Sequence, residues 1–145
     1  MQTTWYRTPQ KPCGTTSRTT PTSMHSGKNA TLVLPVTTTC YHLQPAILVV
    51  GGTYDSEDCY GAWGLYRAIK EQSPETELYL AFGPWWHGAW TRRNFQGFGN
   101  VYFGNNSAAY YMDHIQYPFF RYYLEGKGEK PQNKVNIFYS GKNEW

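Results

Sequence analysis

Negative charge is absent from the N-terminal part of this chain. No Asp or Glu precedes Asp55, and all ten carboxylates of the 145 residues lie from there onward. Other absences narrow the field. Lys and Arg are scattered with no basic run, and the formal charge is only +3, so nucleic acid is not the expected partner. No apolar stretch is long enough to cross a bilayer, so no membrane role is expected. The N-terminus has no hydrophobic core of the secretory type, although that says nothing of compartment if the natural start lies upstream. Cysteine is scarce: Cys13, Cys40 and Cys59 match no zinc or redox spacing and are expected as unpaired thiols. His25, His42, His87 and His114 share no ligand spacing, so neither a metal nor another cofactor is expected. The length fits one ordinary domain.

Aromatic residues are abundant: 6 Trp, 13 Tyr and 7 Phe. They supply much buried area per residue and often line pockets for organic ligands. The text changes character near residue 43. Residues 1–43 are rich in Thr, Pro and Ser, with no helical period and one short apolar run at 32–36. Composition makes them loop or disordered chain, either a linker or a segment that is not native coding sequence.

From Pro45 the chain reads differently. "PAILVVGG" is a continuous apolar run ended by Gly51 and Gly52, the pattern of a strand buried on both faces of a parallel sheet. The loop "TYDSED" follows. Residues 58–72 carry Ala62, Trp63, Leu65, Tyr66 and Ile69 at helical spacings, and Ser73-Pro74 stops them. Residues 77–82 form a second strand ended by Gly83. Strand, helix and strand make a βαβ unit whose right-handed crossover leaves the strands parallel.

In an open parallel sheet, ligands bind beyond the carboxyl ends of the strands. Asp55 follows the first strand and His87, in "GPWWHG", follows the second. Neighbouring strands lie about 4.8 Å apart, so the two loops project from one edge and the carboxylate can reach the imidazole. An Asp so placed fixes the tautomer of a general base and stabilises its imidazolium. Asp followed by His, after an upstream Ser, is the triad order of α/β-hydrolases. The plainer alternatives are a turn or cap role for Asp55 and a packed histidine between tryptophans.

The segments "PAILVVGGTYDSED", "GPWWHG" and "YPFFRYYLEGKG" resemble the C-terminal part of the catalytic domain of the X-Pro dipeptidyl-peptidase superfamily. That superfamily includes cocaine esterase, glutaryl-7-aminocephalosporanic acid acylase and the α-amino-acid ester hydrolases. The resemblance covers about two-thirds of the chain. It implies that Asp55 is the triad acid and His87 the triad base, with Tyr54 and Trp86 beside them at the substrate. It implies that Glu57 and Asp58 join a carboxylate cluster for a substrate ammonium group; the alternative is that they merely suit the dipole of the first helical turn. It implies a small ester, amide or peptide as substrate, with an α-amino acid or dipeptide as the favoured acyl part, no cofactor, and a homo-oligomer as a candidate assembly. Its members are often secreted or periplasmic. The implied fold is α/β: part of an α/β-hydrolase sheet over 44–126, leading into the first strand of a truncated jelly-roll β-domain over 127–145.

One element of that chemistry is missing. None of Ser17, Ser23, Ser26, Ser56, Ser73, Ser107 or Ser140 has a nucleophile-elbow setting. The chain is therefore expected to be a fragment, inactive alone, or else a non-catalytic module with an aromatic surface. Downstream, Ser107 is expected to cap a helix over 108–124, bent at Pro118, with Tyr111, Met112, Ile115, Phe119, Tyr122 and Tyr123 on its apolar stripe. The Gly/Asn-rich stretch 97–106 is expected as a connector, with a pocket mouth as the other reading. Arg92 and Arg93 are expected as a solvated pair, with a substrate carboxylate as the alternative partner.

Overall fold

In the computed structural model the first strand, β1, spans Ile47–Gly52 and the second, β2, spans Leu78–Gly83, joined by helix α1 over Cys59–Gln72. The model describes residue 40, residues 42–92 and residues 94–145; the expectations for Cys13 and for most of residues 1–43 lie outside that part, as does Arg93. β1 and β2 pair in parallel, from Ile47 opposite Leu78 to Gly52 opposite Gly83. The expected βαβ unit is therefore present, with bounds within a residue or two of those read from the text.

Side-chain alternation along the two strands divides the core. Val49, Leu80 and Phe82 face α1, where Ile69 is buried and Ala62, Trp63 and Tyr66 pack beside them. Ala81 faces the other way, toward Trp85, Phe95, Phe103, Tyr111 and Ile115. A parallel sheet covered on both faces explains why β1 and β2 read as unbroken apolar runs. Leu43 and Cys40 already belong to the first layer: the Leu43 N–H donates to Ser73 Oγ, and the Cys40 N–H donates to Gln72 Oε1. Cys40 and Cys59 are unpaired thiols.

Two downstream expectations are corrected. Residues 127–145 were expected to open a separate β-domain, yet β5 (Val135–Ile137) is the third strand of this same sheet, parallel to β2 in the order β1-β2-β5. A three-residue strand carries too little pattern to reveal which sheet it joins. Backbone bonds hold it there, from the Leu80 N–H to the Lys134 carbonyl and from the Phe138 N–H to the Phe82 carbonyl, with Phe138 buried in the core; Glu77, just before β2, adds ion pairs to Lys130 at 2.6 Å and to Lys134. The second correction concerns the capping of the long helix. Asn106, not Ser107, accepts the Ala109 N–H, while Ser107 is buried and receives the Trp85 indole N–H at 3.1 Å. The helix runs as α2 (Ser107–Tyr111), a π-helical turn at Met112–Gln116, and α3 (Tyr117–Glu125). The widened turn coincides with Pro118, which has no N–H for the preceding turn and would crowd an ordinary one. Gly126, at φ 66°, ends it with a left-handed cap. Tyr111, Ile115 and Phe119 of the expected stripe are buried.

The 97–106 stretch is more than a connector. Gly97–Phe98 (β3) and Val101–Tyr102 (β4) pair as a small antiparallel hairpin.

Lys130, and then Lys134, hold the Glu77 carboxyl down at about 2 against its ordinary 4.5, with burial opposing. A depressed acid contributes stability above its unfolded pKa and loses it as pH falls through the folded one. Glu77→Gln should therefore cost about 1 kcal/mol or less near neutral pH, because the pair is largely solvent-screened. The difference from wild type should shrink between pH 4.5 and about 2; urea denaturation across that range measures it.

Candidate active site

The loops after β1 and β2 are locked to each other by the backbone. The Thr53 N–H donates to the Gly83 carbonyl at 2.8 Å, and the Tyr54 N–H to the Trp85 carbonyl at 3.1 Å. This approach requires the strand-end glycines. A Cβ at Gly52 would stand 2.2 Å from the Trp85 carbonyl oxygen, and one at Gly83 would stand 2.5 Å from the Trp85 ring. Trp85 is fully buried among Tyr111, Trp90 and Trp145, so the chain leaving it has a fixed course.

Two residues further on, His87 meets Asp55: Nδ1 lies 3.1 Å from Oδ2. The partners differ sharply in exposure. The Asp55 side chain is 2% exposed and that of His87 49%. Asp55 Oδ1 accepts the N–H groups of Glu57 (2.9 Å) and Asp58 (3.0 Å). Burial by itself would raise the Asp55 carboxyl; the N–H groups of Asp58 and Glu57, then the bond and charge of His87, outweigh it and hold it below its ordinary value. The hydrogen bond to Asp55, then its charge, raise His87 above 6.5; Glu57 and Asp58 add to this, and partial burial opposes it. A buried, ionised carboxylate on Nδ1 makes that nitrogen the N–H donor and leaves Nε2 able to take or give a proton.

Of the other candidates, Asp58 also reaches the imidazole, with Oδ2 3.8 Å from Nδ1. Glu57 is exposed and acts on His87 through its charge. Tyr54 and Trp86 are joined by Phe98 of the hairpin: the Tyr54 ring stacks on Phe98 at 5.3 Å, and Trp86 lies 5.7 Å from it. Arg92 lies over the Trp86 ring at 5.8 Å and is not a simple solvated cation. A groove of about 540 Å³ follows the outer edge of β1, floored by Ile47, Val49 and Gly51 and flanked by Ala62 and Leu65. Asp55, Asp58, His87 and Trp90 stand along it; Tyr54, Glu57 and Trp86 do not line it. Trp90, its ring 6.2 Å from that of His87, and Phe98 were missed in the sequence, where their only signal was an aromatic residue close after the base or within a Gly-rich stretch.

Among the described residues no serine is fixed at this site as a nucleophile. Ser73 and Ser107 are held in structural hydrogen bonds, and Ser56 is an exposed residue of the acid's own loop.

The described part of the chain is thus an α/β structure, a parallel sheet with a hydrogen-bonded Asp–His pair at its carboxyl edge. No protein-family model matches the chain, and no curated protein matches it significantly. Among solved structures it is similar to an aminopeptidase from the marine-sediment archaeon Thaumarchaeota archaeon. The identity is 29%, the TM-score 0.65, and the match covers 71% of this chain and 17% of that one. It is similar also to an α-amino-acid ester hydrolase, at 29% identity and TM-score 0.61, over 68% of this chain and 16% of that one. These likenesses to two hydrolases support the superfamily that the motifs of this chain resemble. It spans about one-sixth of the length of either.

The pair gives a direct expectation. The His87 imidazole should titrate above pH 6.5 by NMR, and Asp55→Asn should lower that midpoint. The associated stability is fully present below pH 6.5 and lost as pH rises through the folded midpoint, because the raised pKa favours the imidazolium in the folded state. Gly52→Ala should destabilise the chain by about 1–3 kcal/mol through overpacking against Trp85, read as a lower thermal midpoint.

Proposed function

We propose that this chain supplies the acid and base of a serine-hydrolase acyl-transfer site, whose nucleophile lies in polypeptide outside these 145 residues. The observation carrying the reading is the 3.1 Å contact between a buried, ionised Asp55 and a half-exposed His87 at adjacent parallel strand tips. In this chemistry a serine Oγ attacks the substrate carbonyl while His87 Nε2 takes its proton. Asp55 stays ionised and stabilises the imidazolium. His87 then returns the proton to the departing alcohol or amine, and the acyl group remains on the serine. A water, deprotonated by the same nitrogen, hydrolyses the acyl-enzyme.

The substrate class we favour is an ester or amide of an α-amino acid or dipeptide. Glu57 and Asp58 are exposed carboxylates beside the base, suited to a substrate ammonium group. Tyr54 and Trp86, neighbours in sequence of the acid and the base, are joined through Phe98 in one aromatic cluster. The domain assignment that fits this reading is a partial hydrolase domain that includes β5.

Among the described residues the outer edge of β1 is unpaired, which supports a site completed by other polypeptide. The Ile47 N–H bonds to Glu77 and the Thr53 N–H to Gly83, so the alternation of a parallel strand turns the N–H and C=O of Leu48 and Val50 outward. An unpaired apolar edge of this kind invites a further strand.

The test is turnover of p-nitrophenyl esters of amino acids. This chain alone should show none. A chain extended upstream through a strand-elbow serine should turn them over, and His87→Ala should reduce that rate by about a thousandfold or more. Turnover by the extended chain that survives His87→Ala would defeat the proposal. Turnover by the 145 residues alone, lost in His87→Ala, would place the nucleophile within them instead.

A further inference from the structure

The carboxylates beside His87 are not equivalent. Asp55 is fully committed: one oxygen accepts two backbone N–H groups, the other meets Nδ1, and the side chain is buried. Asp58 stands at the N-cap of α1, where an Asp ordinarily accepts an N–H from two or three residues on. Its side chain makes no such bond. It is 68% exposed, and its Oδ2 lies 3.8 Å from the same Nδ1 that Asp55 holds. A cap residue that forgoes its cap and lies toward the imidazole calls for an explanation beyond helix termination.

We propose that Asp58 is a second carboxylate for the imidazole, a positioning residue that shares the Nδ1 edge of His87 with Asp55 and takes that edge over when Asp55 cannot hold it. The proposal rests on the reading of His87 as the base. A half-exposed ring held by one bond is free to tilt about it. A second anion on the same edge widens the range of ring orientations in which Nδ1–H points at a carboxylate, so Nε2 keeps its direction. The other groups facing His87 are Glu57, by charge, from the same loop, and the Trp90 ring at 6.2 Å from the helical turn Ala89–Thr91. The Arg92 guanidinium in the next segment lies over Trp86.

The experiment is an NMR pH titration of the His87 ring in the full chain, at about 0.01 M and about 1 M salt. It compares wild type, Asp58→Asn, Asp58→Ser, Asp55→Asn and the double variant Asp55→Asn/Asp58→Asn. At low salt Asp58→Asn should lower the proton affinity of the imidazole by about threefold, the size expected of an exposed charge near 4 Å. Asp58→Ser, which can cap α1 but carries no charge, should do the same; a merely structural role at the helix end would leave that variant at the wild-type midpoint. In the Asp55→Asn background, losing Asp58 should cost more than it does alone, because Asp58 has taken over the edge. High salt should erase the Asp58 effect, since the Debye length falls to about 3 Å, and leave most of the effect of buried Asp55. Asp58→Glu should restore the wild-type titration. A wild-type midpoint in both Asp58→Asn and Asp58→Ser at low salt, with the double variant equal to Asp55→Asn, would overturn the proposal. An unchanged midpoint in Asp55→Asn would instead overturn the reading of the pair itself.

Discussion

The parallel pairing of β1 with β2, in the register that sets Gly52 opposite Gly83, is the constraint on which the candidate site depends. Side chains in a strand alternate with period two, so a slip of one residue would turn each apolar set to the opposite face. Here both faces are covered, by α1 on one side and the Trp85 cluster on the other, and a slip would misfit both. With the register fixed, the two loops leave the sheet at one level. The missing Cβ atoms at Gly52 and Gly83 let the Trp85 backbone and ring settle against the strand ends. Trp85, anchored by Ser107 and enclosed by aromatic rings, then determines where His87 begins.

The electrostatics follow from that placement. A carboxylate this buried would ordinarily resist ionisation. The tight turn after β1 directs two N–H groups at Asp55 Oδ1, which supplies the hydrogen bonds that water would have given. The charge is thus stabilised by the protein on one oxygen and offered to the imidazole by the other. His87 remains half exposed, so its proton can exchange with solvent or substrate. One fixed partner and one accessible partner is the division of labour that acid–base catalysis uses.

β1 has the apolar character of an interior strand, yet its outer edge is unpaired among the described residues and borders a broad groove. The acid, the base and Asp58 stand along that groove, on the side of the sheet where further strands would add. The chain spans about one-sixth of the length of its structural neighbours.

The sequence by itself determined the local elements and the two central candidates. Unbroken apolar runs, glycine endings and the period of residues 58–72 were enough for a βαβ unit, and a βαβ unit fixes the handedness that brings Asp55 and His87 to one edge. Periodicity is a property of neighbouring residues, so it survives without knowledge of the fold. What tertiary structure alone decided were relations between distant segments. Val135–Ile137 joined the sheet because the β2 backbone bonds to both ends of it and Phe138 is buried in the Trp85 cluster, with Lys130 and Lys134 reaching back to Glu77 more than fifty residues earlier. Asn106 displaced Ser107 as the cap because the Ser107 hydroxyl was taken by Trp85, twenty-two residues away. Asp58 came to face an imidazole, and Tyr54 and Trp86 came to share Phe98, for a similar reason. A side chain with several possible partners is assigned by whichever one the packed chain delivers to it, and no local pattern encodes that choice.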